Sequence, residues 1–162
     1  MDARELQRHK RMPKTLEGMP EFKPLRRGRL PKPLNTVGRP RIQATDMLQL
    51  AGGMYSVVFL WRDGTVLEDR AFFAWWFLEI NADCRLPLCI FHWHPSHKGF
   101  HVQVPCQTTS DYMNRQLPGA PELSIKMNAE TLDPLDPLAR VRLIEVFCRI
   151  CGIKFTRPTL WN

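Results

Sequence analysis

A chain of 162 residues with a formal charge of +7 and 44% apolar residues fits one domain with room for a tail. No run approaches the ~20 apolar residues that cross a bilayer, and residues 1–5 hold no apolar core of a signal peptide. The five cysteines, an odd number scattered along the chain, point to free thiols in a reducing compartment, so a cytoplasmic or virion-associated protein is expected.

The charge is concentrated at the front. Residues 1–45 hold twelve Lys or Arg and four acids, and the other 117 residues are close to neutral. The same segment carries six of the 14 prolines and few large apolar residues. That composition predicts a disordered basic arm over residues 1–42, ordered only when bound. Nucleic acid, DNA or RNA, is the expected partner, because each phosphate neutralised releases a condensed counterion. A membrane is not, since the bases lack an apolar face to insert. Arg26, Arg27, Arg29, Lys32, Arg39 and Arg41 are the candidate phosphate contacts. Leu25-Arg26-Arg27-Gly28-Arg29-Leu30-Pro31-Lys32-Pro33 and Val37-Gly38-Arg39-Pro40-Arg41 resemble AT-hook elements, which implies an extended backbone lying in an A·T minor groove.

Residues 43–162 read as a single α+β domain. Residues 45–51 suggest a short capped helix stopped by Gly52-Gly53. A β-branched and aromatic run over 54–61 follows, and Asp63-Gly64 predicts a tight turn into a second strand at 65–68. Asp69 then suggests the cap of a helix running to about Ile80, apolar nearly all round and hence central to the core. A hairpin over 91–105, a short helix from Ser110-Asp111, and a strand at 123–127 come next. The last helix is the clearest, with Asp136 as cap, Pro137 in the first turn and Gly152 as stop. Its expected core stripe is Leu138, Val141, Ile144, Phe147 and Cys151, and residues 153–155 close the sheet. The fold class is therefore an antiparallel or mixed sheet with helices packed on one face.

Four of the five histidines fall in the hairpin, at His92, His94, His97 and His101. A four-residue loop at 95–98 pairs His94 with Gly99 and Phe91 with Val102, which puts the valines and aromatics on one face. The other face then carries His92, His94, His101 and Gln103. Three readings of that face compete. One is a metal site with His92, His94 and His101 as ligands to a divalent cation, leaving an open position. The His92-Trp93-His94 element resembles the His-hydrophobic-His element of rolling-circle replication and transposition nucleases, a likeness that implies a tyrosine nucleophile, here Tyr55 or Tyr112.

The second reading starts from Ser96-His97-Lys98-Gly99-Phe100-His101-Val102-Gln103-Val104-Pro105. This stretch resembles the second motif of the archaeo-eukaryotic primases and primase-polymerases, and of bacterial ligase-associated polymerase domains within that group. The resemblance implies that Lys98 and His101 contact nucleotide phosphates beside a glycine turn. It also implies paired metal-binding carboxylates elsewhere, for which Glu79, Asp83, Asp133 and Asp136 are the available acids. In the third reading the histidines contact phosphates or stack on bases without chemistry.

Cys148-x-x-Cys151 reads as two small buried residues of a helix rather than a zinc knuckle. Arg140, Arg142 and Arg149 read as that helix's solvated face. The preferred function is nucleic-acid binding, with the arm supplying phosphate affinity and the histidine hairpin a local contact. A metal-dependent nuclease or nucleotidyltransferase is the enzyme alternative, and a packaging protein of a nucleoprotein particle the structural one.

Overall fold

The computed structural model describes residues 3–38, 40–95, 99–103 and 132–157. Its centre is an antiparallel sheet built from β5 (Tyr55–Arg62), β6 (Ala71–Asn81), β7 (Cys84–His94) and β8 (Gly99–Gln103), in that spatial order. Two short strands, β3 (Ile42–Ala44) and β4 (Leu48–Gln49), share the free side of β5, and β2 (Lys23–Pro24) pairs with β3. Two helices, α1 (Ala3–Arg11) and α2 (Pro137–Cys151), pack on one face. Beside them β1 (Thr15–Glu17) pairs in parallel with β9 (Lys154–Thr156). This is the α+β architecture that the sequence predicts.

Alternation along the strands sorts the side chains. Tyr55, Val57 and Phe59 of β5, Phe72, Ala74 and Trp76 of β6, and Cys89, Phe91 and Trp93 of β7 are buried under the helices. The Phe147 ring of α2 meets Phe59 and Phe91 at 5.5 and 6.0 Å between centroids. On the opposite face Val58, Leu60 and Phe77 lie under Leu25, Leu30 and Leu34.

Those three leucines overturn the disordered arm. Residues 3–38 are an ordered part of the fold, with Leu6 and Leu16 in the main core and Leu25, Leu30 and Leu34 in the second. Two of the cations among them, Lys14 and Arg29, are satisfied within the fold rather than solvated. Arg29 donates to the carbonyls of Lys23, Pro24, Ala44 and Thr45 at 2.6–2.9 Å and pairs with Asp46, stapling the arm to β3. Gly28, at φ 82°, turns the chain so that the Arg29 N–H reaches the Arg26 carbonyl. The first AT-hook-like element is therefore a tight turn between buried leucines.

Lys14 is more deeply placed, 3% exposed. Its ammonium donates to the carbonyls of His9, Lys10 and Met12, at 2.8, 3.0 and 3.1 Å, where α1 ends. It also lies 4.7 Å from the Trp76 ring centre. Gly152 ends α2 in the left-handed conformation against the Lys10 carbonyl, so the two negative helix ends converge near this one cation. Burial, reinforced by Lys10, pushes the Lys14 ammonium down to about 8. Between pH 8 and the ordinary lysine value the unfolded chain holds this proton and the folded chain does not, so stability rises with pH across that window. The native protein is expected to gain on the order of 2–3 kcal/mol over a Lys14→Met variant between pH 7 and 10.5. Urea midpoints of the pair across that range check this, and a constant gap between them would refute it.

Three further expectations change. Residues 71–81 are a strand and not a helix: both faces of β6 carry large apolar side chains, buried on one and partly buried on the other, so it reads as an unbroken apolar run. Residues 45–51 are not a helix either. Thr45 is buried, and its side-chain oxygen accepts from the Phe59 N–H, bridging the gap between β3 and β4. Asp63-Gly64 opens an eight-residue connection with a single 3-10 turn at Leu67–Asp69, and residues 65–68 are not a strand. Glycine is needed at 64 because a side chain there would strike Asp69.

The last helix keeps its expected ends, with Asp136 accepting from the N–H groups of Leu138 and Ala139, and Pro137 in the first turn. Of its expected stripe Ile144, Phe147 and Cys151 are buried, whereas Leu138 is 72% exposed and Val141 only partly buried; Ala139, Leu143 and Ile150 join the inward face instead. Residues 153–155 contribute to β9, which joins β1 and not the main sheet. The expected helix at 110 and strand at 123–127 lie outside the described residues.

Candidate nucleic-acid interface

The hairpin has the register that its hydrophobic pattern dictates. Phe91 pairs with Val102, His92 with His101, Trp93 with Phe100 and His94 with Gly99. Trp93 is buried in the core and donates through its indole to the Leu132 carbonyl at 2.9 Å. His92 and His94 project from the other face, half-buried.

On that face β6 supplies what the histidines rest against. Phe73 is opposite His92 in the ladder, and its ring centre lies 5.1 Å from His92 and 5.6 Å from His94, edge-on to both. Trp75 lies 6.1 Å from Phe73 and 6.1 Å from His92. Four half-exposed rings thus form one continuous patch. It is aromatic on the β6 side and ionisable on the β7 side. Phe73 and Trp75 are not legible as site residues in the sequence, where they read as part of a helix; a strand at 71–81 paired with 84–94 sets them beside the histidines.

The arm closes one side of this patch. A groove of about 350 Å³ runs between the sheet and residues 36–38, lined by Thr36, Val37, Gly38, Arg62, Phe73 and Trp75. Gly38 packs directly on the 26–29 turn: a methyl group at 38 would lie 2.5 Å from the Arg27 nitrogen. The glycine of the second AT-hook-like element is thereby explained by close packing. Arg26, Arg27, Lys32 and Arg41 are exposed on the same folded segment. Arg29 is occupied by main-chain carbonyls, and Arg39 and Lys98 lie outside the described residues. The side chain of His101 also lies outside them, although the ladder sets this residue opposite His92.

Three of the four acids available for the primase resemblance are engaged elsewhere, and the fourth, Asp83, is exposed. Glu79 is paired with Arg85, at 2.9 Å, and accepts from the buried Ser56 hydroxyl. Asp133 pairs with Arg70 and accepts from the Leu135 N–H, while Asp136 caps α2. Among the described residues, no three His, Cys, Asp or Glu side chains are grouped to hold a metal ion.

The remaining candidates are structural. His9 is buried with Nδ1 2.9 Å from the Tyr55 hydroxyl, and burial, then Arg8, lowers its pKa. Cys148 and Cys151 are buried; desolvation pushes the Cys148 thiol up to about 12 and the Cys151 thiol upward as well. Neither is a reactive thiolate near neutral pH. Arg142 and Arg149 are exposed as expected, but Arg140 is half-buried, donating to the Pro134 and Leu135 carbonyls and lying 4.7 Å over Trp61. No helix among the described residues is long and apolar enough to cross a membrane. Comparison of the chain with protein-family models, curated proteins and solved structures finds no match.

Proposed function

We propose that this protein binds nucleic acid on the open face of its sheet. The observation that carries this reading is the ring patch of Phe73, Trp75, His92 and His94, closed on one side by a folded segment that exposes Arg26, Arg27, Lys32 and Arg41. Flat rings accept bases of any identity by stacking, and a flanking row of cations tracks the phosphates. Neither half suffices alone. Cations without a stacking surface give only weak, salt-sensitive attraction, and rings without cations lack the electrostatic term that draws a strand in.

The segment that carries the bases is folded, so phosphates meet cations held at fixed places rather than a flexible chain. That arrangement saves ordering entropy on binding. An Arg26→Ser, Arg27→Ser, Arg41→Ser variant tests the electrostatic half. Anisotropy of labelled oligonucleotides is expected to show weaker binding and a shallower dependence of log K on log salt. For single strands the slope should fall by about 2, at roughly 0.7 per lost contact. A folded variant with unchanged slope and affinity would remove these arginines from the interface.

A further inference from the structure

We infer that the groove between residues 36–38 and the sheet takes one unpaired base, so that the protein prefers single strands to duplex. The inference rests on the nucleic-acid reading above and names the form of the ligand. Three observations point to a base. The groove is about 350 Å³, at the lower end of small-ligand sites, which suits a base with part of its sugar. Its apolar lining, with buried Ile42 and Leu60, includes the half-exposed rings of Phe73 and Trp75, surfaces on which a planar heterocycle stacks. Its rim is polar and cationic, with the Thr36 hydroxyl and the Arg62 guanidinium, whose Nε is held by the Asp69 carbonyl at 2.6 Å.

The wall is pre-formed. Gly38 is seated against Arg27, and the Gly28 N–H donates to the Asn35 carbonyl at 3.0 Å, tying the two turns of the arm together. Exposed Arg27 and Arg41 bracket the wall along the chain and supply charge of the sign a phosphate needs at either end of a seated nucleotide. A duplex cannot use such a groove, because its base faces are stacked inside the helix and only their edges are accessible. A single strand can splay a base into it.

The test uses the full chain and three probes of equal length: a single-stranded oligonucleotide, its duplex, and an abasic strand with the same phosphates and no bases. DNA and RNA versions of the single strand distinguish the two sources of the base. The natural single strand is expected to bind at least tenfold more tightly than either the duplex or the abasic strand. Thr36→Leu, which fills the groove from an exposed position, is expected to bring the natural strand to the abasic level with the salt slope unchanged. An abasic strand or duplex that binds as tightly as the natural strand overturns base capture and leaves the nucleic-acid reading intact. Absence of binding to all three probes overturns both. If Thr36→Leu lowers binding of the abasic strand equally, the groove does not hold a base.

Discussion

A chain lacking residues 1–42 is expected not to fold cooperatively. The deletion removes Leu6 and Leu16 from the main core, and Leu25, Leu30, Leu34 and Ile42 from the second. Each such side chain contributes about 1.5–3 kcal/mol on burial, so the loss is of order 10 kcal/mol, as large as the whole stability of a typical domain. It also removes β1, against which β9 is paired, and Lys14, whose carbonyl accepts from the Lys154 N–H. The Arg29 staple across β2 and β3 goes with it. Circular dichroism with urea titration checks this: a truncated chain that unfolds in one sharp transition near the native midpoint would refute it. A corollary concerns binding experiments. Lost affinity in the truncated chain would report an unfolded sheet, so the arm's part in recognition has to be measured with point variants.

The contrast between hairpin and arm shows what was legible in the sequence. The β7–β8 register was readable because a one-residue slip would exchange Phe91 and Val102 for histidines on the buried face, a penalty local to a dozen residues. The ends of α2 were readable for a similar reason, since Asp136, Pro137 and Gly152 each serve a terminus through their own chemistry. The arm was not, because composition counts every Lys and Arg as solvated. Lys14 and Arg29 place their donors on main-chain carbonyls, which no average over 42 residues can register. Its leucines stand at irregular intervals between prolines and glycines, without the period of a helix or a strand, yet each finds a place on a sheet face. The ring patch was half legible. Its histidines were set on one face correctly, but Phe73 and Trp75 were hidden inside a run that is apolar on both faces, which erases alternation.

Replacing Phe73 and Trp75 together by leucine is expected to weaken single-strand binding by up to about a hundredfold while the chain stays folded. A stacked base contributes about 1–3 kcal/mol per aromatic side chain, so each single variant should lose roughly ten- to a hundredfold. Leucine retains apolar bulk over Val58 and Leu60, which the two rings cover in the ladder. What it lacks is a flat face. The two rings are neighbours two residues apart on one strand, 6.1 Å between centres and tilted by 33°, close enough to share the one base that the groove takes. Sharing would make the double loss smaller than the sum of the singles, because residues in contact couple; separate bases would make the losses add. The salt slope should not move in any of the three variants, since no cation is lost. Anisotropy titrations at two salt concentrations, with urea midpoints for the folded state, read all of this at once. A double variant that folds and binds as the native chain does would mean that bases never reach this face, and that the cations of the arm attract phosphates to some other surface.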